Sequence, residues 1–220
     1  PDILEQIPVV SDALEALGVP VWRMVKFEAD DGLAAGAALA AADSRVAQVQ
    51  ILSPDKDLGQ CVTGNHVVQF DRRTDTIINE DAVREKFGVG PASIADWLGL
   101  VGDTADGFPG LPGWGAKSAS SVLSVYSHIE NIPDDEAQWA TDGVTVRGAA
   151  KLAATLRDNR ADADLFKRIA TVATDVSADL DIGTVDSWEW RGVSHDMEKV
   201  ARELGMADVM ERVERLMLTR

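Results

Sequence analysis

The chain has 220 residues, of which 45% are apolar and 26% are charged. This composition is typical of a globular protein with a sizeable core and excludes a disordered chain. The formal net charge of −16 argues against a uniformly basic nucleic-acid-binding face. No apolar run of about eighteen residues occurs, so no membrane span is expected. The single cysteine, Cys61, excludes an internal disulfide and fits the reducing cytoplasm.

The first third of the chain predicts alternating helices and strands. In chain order we predict a helix over residues 2–17, a strand over 19–25, an alanine-rich helix over 30–42, a buried strand over 46–52, and a hairpin of strands 66–70 and 76–78. Strand, helix and strand in this order indicate an α/β fold with a central, mostly parallel sheet. Ligands of such sheets bind at the carboxyl ends of the strands. We therefore expect residues 1–78 to form an α/β metal-binding core.

After Asn79 the pattern becomes helical. The predicted helices span residues 80–87, 91–101, 117–126, 148–157, 162–173, 194–204 and 207–218, and residues 181–193 are expected to be irregular. We place a domain boundary near Asn79 and expect residues 79–220 to form a helical region.

Seven acidic residues fall into three short groups that follow or join these elements. The groups are Glu28, Asp30 and Asp31; Asp55 and Asp57; and Asp103 and Asp106. Carboxylates that lie close together repel one another unless cations neutralise them, and oxygen ligands without cysteine or histidine favour Mg²⁺ or Mn²⁺. We expect Lys56 to face away from Asp55 and Asp57, and Asp103 and Asp106 to share one face of a helical turn. Each group alone could instead be a helix cap or a turn.

A glycine-rich segment follows the third acidic group, with the sequence Leu-Pro-Gly-Trp-Gly-Ala-Lys-Ser over residues 111–118. Gly113 and Gly115 would let the backbone approach a phosphate, and Lys117 adds a positive charge beside a helix N-terminus. The alternative is an ordinary glycine turn between two helices. A monovalent cation, K⁺, held by backbone carbonyls is a further hypothesis, with Pro109, Leu111 and Trp114 as the candidate residues. Trp114 is also a candidate for stacking on a base.

The three acidic groups and the glycine hairpin together resemble the flap endonuclease / bacterial 5′–3′ exonuclease family. The matching segments are Phe-Glu-Ala-Asp-Asp at 27–31, Asp-Lys-Asp-Leu at 55–58, and the run from Gly102 to Lys117. This family includes the 5′-nuclease domain of DNA polymerase I and stand-alone enzymes. The resemblance implies a PIN-like 5′-nuclease fold with a helix–three-turn–helix motif near residues 98–126. It also implies cleavage of 5′-flap and branched DNA and trimming of 5′ ends, with two or three Mg²⁺ or Mn²⁺ ions, in replication and repair.

The resemblance assigns roles to the marked residues. Glu28, Asp30, Asp31, Asp55 and Asp57 would be catalytic metal ligands, and Asp103 and Asp106 would hold a more distant metal. Gly113, Gly115, Lys117 and Ser118 would bind the backbone of the duplex.

The chain also departs from the family pattern, because nothing precedes Pro1 to supply an early aspartate and the basic residues of an arch. We expect that this chain lacks the N-terminal portion of the family. A non-catalytic module that binds structured DNA is therefore an alternative, and an RNA-processing nuclease of PIN type is a third interpretation. We further expect a cytoplasmic, nucleoid-associated monomer, with branched DNA and a DNA polymerase as candidate partners and no membrane.

Overall fold

The computed structural model describes residues 3–205 and 207–218, and these form two compact units. The larger unit is Phe27–Val176, and the smaller unit joins residues 3–26 to residues 177–205 and 207–218. The predicted boundary near Asn79 falls inside the larger unit, which contains all three acidic groups and the glycine hairpin. Asp2, where the first helix was predicted to begin, lies outside the described residues.

The described helices and strands follow the predicted order closely. They are α1 (Ile3–Ala16), α2 (Ala29–Ala41), β1 (Val49–Ile51), β2 (Val67–Asp71), β3 (Thr76–Ile78), α3 (Glu80–Phe87), α4 (Ile94–Val101), α5 (Ala116–Tyr126), α6 (Glu136–Thr141), α7 (Ala149–Asp158), α8 (Arg160–Ala170), α9 (Val185–Trp188), α10 (Met197–Glu203) and α11 (Ala207–Leu218). None of the described helices has the length and apolar character that crossing a bilayer requires.

The sheet of the larger unit has three strands in the order β1-β2-β3. Strand β1 pairs with β2 in parallel, and β2 pairs with β3 in an antiparallel hairpin. A small core of Ala37, Ile51, Leu58 and Val67 joins α2 to this sheet. The α/β class is therefore confirmed, with one parallel and one antiparallel pairing among the described strands. The parallel pair matters for the site because the Asp55 loop leaves the sheet at the carboxyl end of β1.

The strand predicted over residues 19–25 is wrong. These residues form no ladder with any described strand, and Val25 is 86% exposed. The amide groups of Val25 and Lys26 instead donate to a carboxylate oxygen of Asp179, each at 2.7 Å. A strand needs a neighbouring edge for its backbone hydrogen bonds, and no edge among the described residues meets this segment. Strand β1 is also shorter than predicted, and only its last residue, Ile51, is buried.

The main core lies among the helices of the larger unit, and α4 runs through its centre. Leu98 and Leu100 of α4 are fully buried. Helix α8 packs so closely on α4 that a Cβ added to Gly99 would lie 3.0 Å from the Lys167 amide nitrogen. Helix α6 was not predicted, because its six residues are too few to show a helical period. Trp139 anchors it in the core, with Nε1 donating to the Pro133 carbonyl at 2.9 Å.

The smaller unit is built around α1 and α10, which bury Ala16, Met197 and Ala201. Nε1 of Trp190 donates to the Leu17 carbonyl at 2.7 Å, and this bond secures the end of α1. The residues expected to be irregular, 181–193, contain only the single turn α9.

A buried carboxylate in the first turn of α4 holds the helical core together. Asp96 is only 1% exposed, and its oxygens accept the Ile129 amide at 2.8 Å and contact His128 Nδ1 at 2.9 Å and Lys167 Nζ at 2.7 Å. A buried charge with these partners joins α4 to α8 and to the turn after α5. Loss of the charge would leave a lysine and a backbone donor with a weaker acceptor.

We therefore predict that Asp96→Asn lowers the free energy of unfolding by about 3 kcal/mol, because it removes one partner of a buried charge pair. Asp134→Asn is the matched control, since Asp134 is 54% exposed and pairs with Arg160 at the surface. Its effect should stay below about 1 kcal/mol. Urea denaturation of the two variants measures both values, and equal losses would contradict the central role of Asp96.

Candidate functional site

The first acidic group forms the N-terminal cap of α2. Glu28 is the capping residue, and Asp31 Oδ2 accepts the Glu28 amide at 2.9 Å in a capping box. Asp31 Oδ1 also accepts the amide of Ala173 at 2.7 Å, which lies far along the chain. Both carboxylate oxygens of Asp31 thus accept backbone amides. Asp30, which lies between Glu28 and Asp31 in the chain, is half-buried. The cap interpretation therefore holds for Glu28 and Asp31, and it fixes where Asp30 lies.

The second group lies in the loop after β1. The Asp57 amide donates to Asp55 Oδ1 at 3.0 Å, and Gln69 on the buried strand β2 donates through Nε2 to the Asp55 carbonyl at 2.6 Å. Asp57 then opens a short 3₁₀ turn, Asp57–Cys61. The prediction that Lys56 faces away from the acids is wrong. Its backbone is right-handed helical rather than extended, so its side chain turns toward Asp57.

The third group forms a tight hairpin, not the predicted helical turn. Asp103 and Phe108 exchange backbone hydrogen bonds of 2.8 and 3.0 Å, and Asp103 Oδ1 accepts the Ala105 amide at 2.9 Å. The base of the hairpin requires glycine at 102, where φ is +88° and an added Cβ would lie 2.4 Å from the Pro109 carbonyl oxygen. Asp106 lies near the exposed end of this hairpin. One of its carboxylate oxygens lies within 4.8 Å of a carboxylate oxygen of Asp103.

These local geometries bring acids of the second and third groups together. One carboxylate oxygen from each of Asp57, Asp103 and Asp106 lies within 4.8 Å of the other two. The charges of the cluster also reach Asp30 of the first group: burial raises the pKa of Asp30, and the charges of Asp55 and then of Glu28, Asp31 and Asp106 raise it further. The prediction that acids from separate segments meet at one place is therefore realised in the described structure. The roles of the individual acids as ligands stay a prediction.

Two members of the cluster have pKa values that move in opposite directions. Burial raises the pKa of Asp57 to about 7, and the charges of Asp55 and Asp106 add to this effect while Lys56 opposes it. Burial also acts to raise the pKa of Asp103, but the ammonium of Lys56 and the Ala105 amide outweigh burial and lower it. Lys56 contacts Asp103 Oδ2 directly, and its Nζ lies 3.6 Å from Asp57 Oδ1. The cluster is thus only partly neutralised by the protein itself.

The cluster fits a hard divalent cation. Its candidate ligands are carboxylate oxygens only, which suits an ion of the Mg²⁺ or Ca²⁺ class rather than zinc. Asp57 Oδ1 is buried and receives no hydrogen bond from any described residue. A buried polar atom that accepts no hydrogen bond costs free energy, and a bound cation would remove this cost.

The glycine hairpin continues directly from the acidic hairpin. The Leu111 amide donates to the Leu100 carbonyl at 2.9 Å, and Gly113 follows with φ of +84°. Gly115 caps α5, where Ser118 Oγ accepts the Gly115 amide at 3.0 Å and donates to its carbonyl at 2.9 Å. The chain therefore presents the exposed Gly113 and the first turn of α5 next to the acidic hairpin.

The side chain of Trp114 is held in the core, and one of the three proposed cation carbonyls accepts a hydrogen bond. Trp114 is 7% exposed, stacks edge-on against Trp139, and donates through Nε1 to the Leu152 carbonyl at 3.3 Å. It is a core residue, so base stacking by Trp114 is excluded in this conformation. The Leu111 carbonyl accepts the Trp114 amide at 3.1 Å. K⁺ binding by Pro109, Leu111 and Trp114 stays a prediction.

A groove of about 670 Å³ runs beside the glycine hairpin, and two basic side chains line it. Lys117 and Arg147 both line it and both are exposed, and Thr145 lies next to Arg147 along its wall. Within residues 3–205 and 207–218, neither cation forms an ion pair, and the described lining includes no acid. A groove with two uncompensated cations is distinctive in a chain of net charge −16, and it fits a polyanion.

Sequence reasoning missed the roles of two residues in this region. Lys56 was placed on the wrong side, and Gln69 was not recognised as the support of the Asp55 loop. A signal exists only for Gln69, since a glutamine in the apolar run Val-Val-Gln-Phe indicates a buried hydrogen-bonding role. The side of the cluster on which Lys56 lies depends on where distant segments meet.

Family models match most of the chain. Residues 1–88 match the 5′-3′ exonuclease N-terminal resolvase-like domain, and residues 89–194 match the 5′-3′ exonuclease C-terminal SAM fold. A 5′-3′ exonuclease from Aquifex aeolicus is 31% identical over 218 residues, which cover 98% of this chain and 69% of that protein. The chain belongs to the 5′–3′ exonuclease family. The resemblance drawn from the acidic groups and the hairpin is thereby confirmed.

Larger relatives and solved structures extend this comparison. DNA polymerase I from Pseudomonas aeruginosa is 35% identical over 189 residues, covering 82% of this chain and 19% of the polymerase. The chain thus spans about a fifth of the length of such relatives. A T5 5′-exonuclease with bound zinc ions matches 91% of the chain and 66% of that protein at 17% identity, with a TM-score of 0.63. The catalytic core of Rad2 in complex with DNA substrate covers 92% of the chain and 66% of its own length at 15% identity, with a TM-score of 0.54. These structures confirm the 5′-nuclease fold.

The opposite pKa shifts predict opposite effects of two substitutions in metal-free protein. The pKa of Asp57 is about 7 in the folded chain and about 4 in the unfolded chain. The folded state therefore favours the protonated form, and the stability that this provides is complete below about pH 4 and is lost as pH rises through 7. Asp57→Asn should therefore raise the free energy of unfolding by about 1 kcal/mol at about pH 8 and change it less at about pH 5. Asp103→Asn should lower it by about 1 to 2 kcal/mol, since Lys56 loses its partner.

Chemical denaturation in the presence of a chelator at both pH values measures these differences. Asp164→Asn, on the exposed surface of α8, controls for the change in net charge. If both cluster variants shifted stability in the same direction, the assignment of Lys56 to Asp103 would be contradicted.

Proposed function

We propose that this chain is a metal-dependent 5′-nuclease that cleaves 5′-flap and branched DNA and trims 5′ ends. The observation that carries the proposal is the meeting of Asp57, Asp103 and Asp106 within 4.8 Å. Asp103 and Asp106 lie on the segment that continues along the chain into the residues of the cationic groove. Family membership supports it, as do the metal ions and the DNA bound in the T5 and Rad2 structures. A carboxylate cluster beside a phosphate-binding hairpin suits hydrolysis of a phosphodiester.

We further propose Mg²⁺ or Mn²⁺ as the cofactor, in two or three sites. Asp30, Asp55, Asp57, Asp103 and Asp106 would be the principal ligands, with Glu28 and Asp31 around them. When bound, such ions supply charge stabilisation to the phosphoryl oxygens and an activated water. Asp57 is suited to hold a cation because its buried oxygen has no hydrogen-bond donor among the described residues, so binding removes an existing penalty.

Other residues would position the DNA and the metal-binding carboxylates. Asp31 and Gln69 hold their loops through hydrogen bonds of 2.6 to 2.9 Å to backbone atoms. The amides at the start of α5 and the cations Lys117 and Arg147 would bind backbone phosphates of the duplex, without contacts that read base sequence. The chain would therefore select DNA by its shape and not by its sequence. The bound phosphates would determine which phosphodiester of the DNA lies at the carboxylates.

The nuclease activity predicts a specific pattern of cleavage. With millimolar Mg²⁺ or Mn²⁺, the wild-type chain should release the 5′ arm of a labelled flap duplex, and Asp30→Ala and Asp55→Ala should reduce the rate by at least about a hundredfold, as expected when metal ligands are lost. Asp164→Ala, an exposed acid on α8, should cleave like wild type. Quantified gel electrophoresis of the products measures the rates.

Three other outcomes would separate the alternatives. Equal cleavage by wild type and by the two cluster variants would reject the site. Tight binding of the flap without cleavage in Mn²⁺ would favour a non-catalytic module for structured DNA. Faster cleavage of single-stranded RNA than of the flap would favour an RNA-processing nuclease.

The groove predicts that binding of duplex DNA depends on salt and that Lys117 and Arg147 both contribute to this dependence. Lys117→Ala and Arg147→Ala should each weaken binding to a duplex of any sequence. Each should also reduce the slope of log affinity against log salt by about one, because one phosphate contact is lost. Lys199→Ala on α10 is the control, with the same change of net charge. Fluorescence anisotropy in Ca²⁺, over a range of salt, measures the slopes, and an unchanged slope in both groove variants would contradict this interface.

Several further features follow as proposals from the same assignment. They are K⁺ at the carbonyls of Pro109, Leu111 and Trp114, action as a monomer, association with a DNA polymerase, and a place in the bacterial cytoplasm near the nucleoid.

A further inference from the structure

Lys56 contacts two of the three carboxylates of the cluster. Its ammonium contacts Asp103 Oδ2 and lies 3.6 Å from Asp57 Oδ1, and its side chain is only 33% exposed. These two carboxylates belong to the three whose oxygens lie within 4.8 Å of one another. The chain therefore supplies its own cation to the atoms that would hold a divalent ion.

The backbone fixes this placement. Lys56 has φ of −69° and ψ of −24° at the start of the 3₁₀ turn, between two acids whose own hydrogen bonds hold the loop. Asp103 is held from the other side by its bridge to Phe108. Two restrained segments thus meet, and the lysine reaches across from one to the other. The contact joins residues 47 positions apart, so it reflects tertiary packing rather than a local turn.

The ammonium neutralises the cluster incompletely. Asp103 gains a direct hydrogen bond, but Asp57 Oδ1 receives no hydrogen bond from any described residue even though it is buried. One ammonium against three carboxylates leaves a net negative charge in a poorly solvated place. The cluster therefore retains affinity for a cation, but an entering ion must compete with Lys56 for Asp103.

We propose that Lys56 is an internal counter-ion that stabilises the metal-free cluster and weakens divalent metal binding, because the ammonium must leave Asp103 when the ion enters. This inference rests on the proposed metal site. It assigns to Lys56 a role that is separate from binding DNA and from cleavage. The competing role would be structural, with Lys56 holding Asp103 in place for the metal, and it predicts a change of affinity in the opposite direction.

The test is the affinity for Mn²⁺ in the absence of DNA, measured by calorimetry and by the electron paramagnetic resonance signal of free Mn²⁺. Lys56→Met should bind Mn²⁺ about tenfold more tightly than wild type, the effect expected from losing one nearby charge at a part-exposed site. In a chelator the same variant should melt at a lower temperature than wild type, and saturating Mn²⁺ should restore more of its stability than it adds to wild type.

Three variants control the comparison. Lys56→Arg keeps the charge and should bind Mn²⁺ within about twofold of wild type. Lys151→Met removes an exposed charge on α7 and should also stay within about twofold, since long-range charge effects are screened. Lys56→Gln retains a hydrogen-bond donor and should bind more tightly, which provides a second variant if the methionine variant does not fold.

Each result decides between the alternatives. Equal or weaker Mn²⁺ binding by both uncharged variants would overturn the counter-ion role and favour a structural one. An equal gain in Lys151→Met would also overturn it, because the effect would then come from net charge. No Mn²⁺ binding by wild type or by any variant would reject the metal site of the proposed function itself, and with it this role of Lys56.

Discussion

The candidate site depends on holding several negative charges close together. Carboxylates with oxygens within 4.8 Å of one another repel strongly in a partly buried place, so other interactions must hold them. The described structure does this mainly with hydrogen bonds to the backbone, and Lys56 adds one counter-charge at Asp103. Asp31 binds two amides, Gln69 supports the Asp55 loop, and the Asp103 hairpin closes on Phe108. The cost of this arrangement appears as the raised pKa of Asp57 and Asp30.

Negative and positive side chains collect in different places within this acidic chain. Acids gather where a cation would neutralise them, while the groove beside the glycine hairpin is lined by Lys117 and Arg147. The net charge of −16 is therefore no obstacle to a polyanionic ligand, because the local field and not the total charge meets the phosphates. Residues 100–111 connect the two regions through the Asp103 hairpin and the bond from Leu111 to Leu100.

Much of the fold could be predicted from local pattern. Helix α2 begins at the acids that cap it. Helix α3 begins after Asn79 and ends before Gly88, whose backbone is left-handed. The strands β2 and β3 lie within one residue of the predicted hairpin strands. The failures are equally specific. Residues 19–25 have the composition of a strand but meet no described edge, and α6 is too short to show a period. Strand formation depends on a partner that the local sequence does not contain.

The sequence by itself determined which residues carry the chemistry, because acids in three groups and a glycine hairpin in order are a pattern of composition and spacing. It also determined the family. Only the tertiary structure decided how these residues act together. It turned Lys56 toward Asp103 across 47 positions, buried Trp114 in the core, and brought Arg147 beside Lys117. The physical reason is that charge interactions and burial depend on distances between segments, and those distances are set by packing of the whole unit and not by neighbours along the chain.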